Sequence, residues 1–165
     1  MSFENQAIRG VLNHYGPRKI DSKYGAETDN SVIKTVSWIF DYNNLPDASA
    51  NGLEYQIPAN ATILSAKLQI ITAFTSTSTL TDLTVGLQKS DGTAIDDDGL
   101  ITAAQATQTA IAVAGAIVDG ASGTAGALIG KSIGTSDGEL VVTPTTADLT
   151  AGKARLIVEY IKQGM

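Results

Sequence analysis

The stretch from Ile57 to Leu87 constrains the fold of this chain more than any other. Within it, apolar residues alternate with mostly polar ones in two runs, namely Leu64, Ala66, Leu68, Ile70, Phe74 and then Leu83, Val85, Leu87. Alternation at period two is typical of a strand with one face in a core and the other in water. The two runs, separated by the Thr/Ser segment 75–81, therefore predict the centre of a β-meander or a β-sandwich.

Further strands flank this centre. Segment 31–40 is β-branched and aromatic, and it predicts a strand with Val32, Val36, Trp38 and Phe40 on one face. Shorter strands are predicted at 53–57 and 139–143, a loop at 144–152, and a closing strand at 154–162 with Leu156, Val158 and Tyr160 on one face. Asp91-Gly92 predicts a tight turn. Seven of the sixteen glycines lie within 115–138, where they predict short strands and tight turns. The predicted fold is mainly β, with an antiparallel β-sandwich or jelly-roll-like body.

One helix is predicted over residues 100–114. Thr102 and Gln105 have the spacing of a capping box, and Leu100, Ala104, Thr107 and Ile111 would share one face. A buried strand is the alternative, because three Thr weaken the helix propensity of the segment. The preceding run Asp96–Asp98 lacks the ligand spacing of a calcium loop, so we interpret it as a solvated turn that caps the helix.

The chain divides into an N-terminal arm, residues 1–30, and a body, residues 31–165. The arm contains four Lys/Arg and four Asp/Glu, so the net charge of −6 belongs to the body. A segment with aromatic and arginine residues but no periodicity often becomes ordered by docking onto a partner. The predicted contact residues are Arg9, Tyr15, Arg18, Lys19 and Tyr24. The alternative is a mobile terminus or an edge strand packed on its own domain.

Composition excludes several classes of function. An acidic chain without clustered Lys and Arg is a poor nucleic-acid binder. The sequence has no apolar run of about 18 residues, as a membrane span would need, and its start does not resemble a signal peptide. The 165 residues contain no Cys, so we expect a single domain that folds without disulfides, as in a reducing cytoplasm.

Sites of chemistry are not predicted. Segment 125–132, AGALIGKS, matches a permissive phosphate-binding pattern, but Leu128 and Ile129 suggest a strand, and Gly134 follows where a helix should run. Lys131 is then a solvated residue at a strand end. The single histidine, His14, has no G-x-S-x-G nucleophile elbow nearby for which it could act as the base. One His without any Cys cannot build a usual zinc site within one chain. We therefore expect no catalytic, cofactor or metal residue, and no enzyme.

Five segments carry a resemblance to a known class. In order they are IPANATILSAKL, TAFTS, LTVGLQKSDGTAIDDDGLI, GALIG and AGKARLIVEY, and residues 31–162 resemble virion structural proteins of tailed bacteriophages, of the head decoration or cement type. The resemblance implies a body, often trimeric, that binds the outside of the head and stabilises contacts between major capsid proteins. It implies synthesis in the host cytoplasm, a location on the virion and no catalytic residue, and by analogy it makes the arm a capsid-contacting element.

A carbohydrate-binding jelly roll, or an adhesion protein of the tail or fibre, is the competing hypothesis. The opening IPANATILSAKL is also similar to such modules. Sugar binding favours exposed aromatic platforms, and the candidates are Trp38, Tyr42 and Tyr55, which we interpret as core or loop residues.

Overall fold

The computed structural model describes residues 26–30, 33–47, 56–78 and 80–162. Within these ranges the chain forms two antiparallel sheets and one helical turn. The elements are β1 Ala26–Asn30, β2 Ile33–Asp41, β3 Gln56–Ile57, β4 Ala61–Ser76, β5 Leu83–Gln88, β6 Ala94–Ile101, α1 Gln108–Ile111, β7 Ile117–Asp119, β8 Gly138–Pro144 and β9 Leu149–Lys162. The five-stranded sheet has the order β1-β2-β9-β4-β7, and the four-stranded sheet has the order β3-β8-β5-β6.

Strand pairing follows a nested pattern. β2 pairs with β9, β3 with β8, β4 with β7 and β5 with β6, so that the first strand of this set meets the last and the middle two meet each other. Eight strands folded this way into two sheets make a jelly roll, to which β1 adds an edge strand beside β2. The predicted antiparallel sandwich is confirmed. The meander alternative is wrong, because β4 and β5 belong to different sheets.

The core lies between the two sheets. The predicted inward faces of β2 and β9 are confirmed, since Trp38, Phe40, Leu156 and Val158 are all buried. The four-stranded sheet faces them with aliphatic side chains, namely Leu83, Val85, Leu87, Leu140 and Val142. Each fully buried aliphatic side chain contributes about 1.5–3 kcal/mol relative to exposure, so this layer is the main source of stability.

Bulges interrupt the long strand β4. The register against β9 shifts between Ile63 and Ser65, and Ile63 is buried while Leu64 is only partly buried. The prediction that Leu64 belongs to the buried row is therefore wrong, because one extra residue at a bulge exchanges the two faces of a strand. The buried positions predicted from Ala66 onward are confirmed up to Phe74.

The predicted helix 100–114 is wrong over most of its length. Leu100 and Ile101 end strand β6, residues 102–106 form a turn, and helix occurs only in the single turn α1. Asp96–Asp98 lie within β6 and do not cap a helix. The capping-box spacing does produce its hydrogen bond, because the Thr102 N–H donates to Gln105 Oε1 at 2.9 Å. This bond stabilises the turn 102–106 and does not start a helix at Thr102.

Segment 115–138 contains the single strand β7 and otherwise turns, in which Gly115, Gly123, Gly130 and Gly134 have positive φ. The predicted strand at Leu128 and Ile129 is instead a turn. β8 confirms the strand predicted at 139–143, and Gly92, at φ +79°, confirms the predicted turn after Asp91. The predicted loop 144–152 is wrong from Leu149 onward, where β9 begins.

The last five residues of the predicted arm form β1, which pairs with β2 from Ala26 opposite Ser37 to Asn30 opposite Ile33. For these five residues the edge-strand alternative holds. Residues 1–25 lie outside the described part of the chain, as do Ser31 and Val32 of the strand predicted at 31–40 and residues 53–55, which include Tyr55, of the strand predicted at 53–57. No helix in the described ranges has the length and apolar character to span a membrane.

A candidate interaction face

The outer face of the five-stranded sheet carries six isoleucines. Alternate residues of its strands point to the core, so the remaining ones face outward. We call this surface the isoleucine face, and its apolar members are Ile33, Ile39, Ile71, Ile117, Ile157 and Ile161. Three of them are strongly exposed, Ile33 at 43%, Ile71 at 40% and Ile117 at 64%. β-branched residues suit strands in general, but aliphatic side chains at this exposure are more apolar than a solvated face needs.

These side chains lie next to one another across the strands. Ile33 is directly opposite Ile161, while Ile39 is opposite Arg155 and therefore diagonal to Ile157. At the other edge Ile117 is opposite Gln69, two residues from Ile71 on β4. Cross-strand neighbours on one face are about 4.5–5.5 Å apart when directly opposite. The isoleucines therefore form a band over β2, β9, β4 and β7 that is interrupted between β9 and β4, where Lys67 is opposite Ile157 and Gln69 is opposite Arg155. The sequence analysis did not predict this surface, because it assigned apolar residues only to the buried faces of the strands.

Two charged groups on the isoleucine face form hydrogen bonds with neutral side chains of the same face. The Ser65 hydroxyl donates to Glu159 Oε2 at 2.8 Å, and Arg155 Nη1 donates to Gln69 Oε1 at 3.4 Å. Lys67 is directly opposite Asp119 in the register of β4 and β7. Charged groups that are already hydrogen-bonded lose less solvation energy when a partner covers them than isolated charges do.

Charge is divided unevenly over the described residues. The five strands of the sheet that carries the isoleucine face contain five Lys/Arg and five Asp/Glu, whereas the other described residues, which we call the acidic half, contain two Lys/Arg and nine Asp/Glu. The isoleucine face therefore lies on a neutral sheet, and the acidic half carries the net negative charge of the described residues. Such a distribution favours the neutral sheet over the acidic half for contact with an acidic surface.

Part of the acidic half folds over the outside of the four-stranded sheet. A Cβ at Gly86 would lie 2.1 Å from the carbonyl oxygen of Asp96, so the β6 backbone passes directly over this glycine. Gln88 Nε2 donates to Asp97 Oδ1 at 2.9 Å. Burial, and next the adjacent carboxyl of Asp98, raise the pKa of Asp96. Despite these neighbouring carboxylates, the described residues contain no group of three or more metal-binding side chains.

Segment 125–132 cannot cradle a phosphate. Its backbone N–H groups are already used, since Gly130 N–H donates to Ile63 O at 2.8 Å and Leu128 N–H to Gly99 O at 2.9 Å. No helix follows it within residues 132–162, whereas a phosphate loop directs free N–H groups at the end of a helix. Lys131 is exposed, as predicted for a solvated side chain, although it lies in a turn and not at a strand end.

The two aromatic candidates within the described residues, Trp38 and Tyr42, do not form an exposed platform, and Tyr55 lies outside those residues. Trp38 is only 3% exposed and belongs to the core, as predicted, while Tyr42 is 40% exposed in the loop after β2. The predicted contact residues Arg9, Tyr15, Arg18, Lys19 and Tyr24 lie outside the described residues, and the structure does not test them. His14 is outside as well.

Comparison with known proteins gives one similar structure. No protein-family model matches the sequence, and no curated protein matches it. A solved chain described as "Cyanophage Pam1 capsid asymmetric unit" is similar at a TM-score of 0.43 and 15% sequence identity, covering 96% of this chain and 98% of that one. The chain is thus similar to a phage capsid chain, but at that TM-score the similarity carries no argument about function.

Proposed function

We propose that this chain is a decoration, or cement, protein of a tailed-phage head. It binds the outer surface of the head, bridges neighbouring major capsid proteins and has no catalytic role. It acts as a homo-oligomer, and we propose a trimer. It is made in the host cytoplasm and is located on the virion. The observation that carries the proposal is the isoleucine face on the neutral side of an otherwise acidic sandwich.

That face has the dimensions of a binding surface. Four strand spacings of about 4.8 Å and the 14 residues of β9 at about 3.3 Å each give roughly 900 Å², comparable to the ~800 Å² per partner of a standard interface. Its exposed aliphatic side chains suit contact with protein better than contact with a sugar, which favours exposed aromatic rings. The acidic half would then face solvent and keep decorated particles from adhering to one another.

Oligomerisation supplies the strength that a single face lacks. A capsid repeats the same epitope many times, so an oligomer that engages several copies gains affinity by effective concentration without a tight individual site. Jelly rolls occur in both capsid and lectin proteins, so the choice between capsid binding and sugar binding rests on the isoleucine face and not on the fold.

The direct test uses heads assembled from the major capsid protein of the same phage without this chain. We expect saturable co-sedimentation of the purified protein with these heads and ordered density on their outer surface by electron microscopy. Absence of binding by folded protein at saturating concentration would refute the proposal. Retention on insoluble polysaccharide in a parallel experiment would support the sugar-binding alternative instead.

The arm is tested in the same assay. Removal of residues 1–25 leaves every described strand in place, because β1 begins at Ala26. We expect the shortened chain to keep its melting temperature and to lose head binding. Unchanged binding would show that Arg9, Tyr15, Arg18, Lys19 and Tyr24 are not the capsid contacts.

A further inference from the structure

Arg155 occupies the centre of the isoleucine face. It lies on β9, the third of the five strands in the sheet, and it points away from the core. Its direct neighbour on β2 is Ile39, its direct neighbour on β4 is Gln69, and Ile157 is the next outward residue along β9. Binding hot spots are concentrated near the centre of interfaces, and arginine is among the residues most enriched there. The surroundings of Arg155 therefore indicate what a partner of this face must provide.

The two lysines of the isoleucine face have carboxylates opposite them, and Arg155 does not. Lys67 is opposite Asp119 in the register of β4 and β7, and Lys153 is opposite Asp41 in the register of β2 and β9. The two positions opposite Arg155 hold an isoleucine and a glutamine. Among the cations of this face in the described strands, Arg155 is thus the one without an acidic neighbour directly across.

Most of the hydrogen-bonding capacity of the Arg155 guanidinium is left over. A guanidinium has five N–H donors in a planar fork that matches a carboxylate. Nη1 donates to Gln69 Oε1 at 3.4 Å, which is longer than the usual range of about 2.7–3.2 Å. No ion pair between described residues includes Arg155. In the free protein these donors are therefore satisfied by solvent.

An uncharged partner surface would be a poor cover for this guanidinium. The group would lose its water, and the neutral amide of Gln69 would not compensate the buried charge. A partner carboxylate does compensate it, because it accepts two parallel N–H bonds from one guanidinium. Ile39 and Ile157 would exclude water from such a pair and so strengthen it. The centre of the face thus fits a carboxylate that lies among apolar side chains.

The neighbouring lysines favour the same kind of group. Lys153 is two residues from Arg155 on the same side of β9, and Lys67 is diagonal to Arg155 because it is opposite Ile157. Both lysines are exposed. Three cations are therefore contiguous at the centre of the face, in a chain whose net charge is −6. Positive charge concentrated in this way guides an acidic group to this part of the surface.

We propose that Arg155 binds a carboxylate of the major capsid protein, from an Asp or Glu that lies among aliphatic side chains on the outer surface of the head. The inference rests on the proposed function and names the chemistry of the epitope that this face recognises. A second copy of this chain fits less well, because the aspartates of its β6 are consecutive, Asp96–Asp98, with no apolar residue between them to meet the isoleucines.

The first test compares variants of Arg155 in co-sedimentation with heads that lack this chain. Arg155→Met keeps an apolar stem without charge, and we expect it to weaken binding about tenfold or more. Arg155→Glu sets one carboxylate against another and should weaken binding about a hundredfold or more. Arg155→Lys keeps the charge but loses the planar fork, so its loss should be smaller. Position 155 faces outward, so all three variants should keep the melting temperature of the natural chain within a few degrees.

The matched control is Lys89→Met. Lys89 directly follows β5 in the acidic half, so this variant removes the same charge far from the isoleucine face. Its binding to heads should stay within about twofold of that of the natural chain. An equal loss in Lys89→Met and Arg155→Met would show that overall charge is responsible and would overturn the inference.

Carbodiimide coupling identifies the partner group directly. The reagent joins a lysine amine to a carboxylate in contact as an amide, and the water that is lost converts the carbodiimide to a urea, whereas a guanidinium does not react. Arg155→Lys bound to heads should therefore give a covalent product with the capsid protein. Its digestion should yield a peptide that joins residue 155 to an Asp or Glu. The natural chain, treated in parallel, measures the background from Lys67 and Lys153.

Two further outcomes would overturn the inference while the natural chain still binds heads. One is a folded Arg155→Glu variant that binds as tightly as the natural chain, together with no coupling of residue 155 to the capsid. The other is coupling of residue 155 to a second copy of this chain, with dissociation of the oligomer of Arg155→Glu in light scattering. In both cases the proposed function stands and this contact is refuted. If the natural chain itself does not bind heads, the proposed function fails and the inference fails with it.

Discussion

The backbone of Gly152 lies directly against the ring of Phe74. A Cβ at position 152 would lie 2.0 Å from Phe74 Cδ1, and the glycine itself has φ +134°. Phe74 is fully buried near the end of β4, and Gly152 belongs to the neighbouring strand β9. The glycine therefore lets the strands approach closely enough for the ring to fill this end of the core.

We expect Gly152→Ala to destabilise the fold by about 2–4 kcal/mol, from overpacking against the ring and from backbone strain. Gly92→Ala is the matched control, because Gly92 also has positive φ but a Cβ there would meet nothing within 4 Å. Its cost should be about 1 kcal/mol. Urea denaturation of both variants measures the difference, and equal losses would show that the contact with Phe74 is unimportant.

The carboxyl of Glu139 is buried, and one of its two oxygens has no hydrogen-bond partner within the described structure. Glu139 is 2% exposed on β8, between Gln56 of β3 and Gln88 of β5, and the oxygen without a partner there is Oε2. Burial raises the pKa of Glu139 above its ordinary value of 4.5. We expect Glu139→Gln to raise the free energy of unfolding at pH 7 by about 1 kcal/mol, because the neutral amide avoids burying a charge.

The sign of the pH dependence follows from the same shift. Below pH 4.5 Glu139 is protonated in both the folded and the unfolded state and costs nothing, and stability is lost as the pH rises through the raised pKa of the folded state. The gain from Glu139→Gln should therefore vanish near pH 4. The control is Glu159→Gln on an exposed position, expected to change stability by less than about 0.5 kcal/mol. A gain that does not depend on pH would contradict this account.

Period-two patterning was enough to predict the sandwich and most of its inward faces, because burial on one side of a strand leaves a local signal. Val36, Leu68, Leu87 and Leu156 all lie where alternation placed them. The nested pairing could not be read in the same way, since β2 and β9 are far apart in sequence and only the folded chain brings them together. The bulge at Leu64 likewise depends on the partner strand.

The helix predicted at 100–114 was inferred from a capping-box spacing that forms its hydrogen bond but affects only a few residues. Thr102 and Gln105 do form the hydrogen bond of a capping box, yet Leu100 and Ile101 are drawn into β6 by the core. Gly86 inside β5 is a sequence signal for the bulge of β6, because a glycine inside a strand often marks the close approach of another backbone. The isoleucine face was visible in sequence as Ile39 and Ile157 at otherwise polar positions of their strands.

Gln105 should contribute more to stability than its partly exposed position suggests. Its side chain accepts from Thr102 N–H and donates to Gly120 O and Ser122 O, so it joins two loops. We expect Gln105→Ala to cost about 2 kcal/mol and to increase hydrogen exchange in residues 120–124. Gln108→Ala, which keeps the backbone bond from Gln108 N–H to Asp82 Oδ1, is the control and should cost much less. Similar losses in both variants would mean that general helix and turn propensity dominates.

The isoleucine face provides the sharpest test of capsid binding. Ile33 and Ile71 lie at opposite ends of the band and are each about two-fifths exposed. A lysine at either position can keep its ammonium in water in the free protein, so we expect little change in melting temperature. On the capsid, the same ammonium would be buried against an apolar contact without a partner. Each single variant should therefore weaken binding to heads at least tenfold.

The matched control for these variants is Leu80→Lys. Leu80 is 73% exposed in the loop before β5 and lies outside the isoleucine face, so the same change in charge and size should leave head binding within about twofold. Binding isotherms by co-sedimentation at fixed ionic strength measure all three variants. If Leu80→Lys weakens binding as much as Ile33→Lys and Ile71→Lys do, added positive charge is the cause and the isoleucine face is not the contact. If none of the three changes binding, the isoleucine face is not the capsid contact.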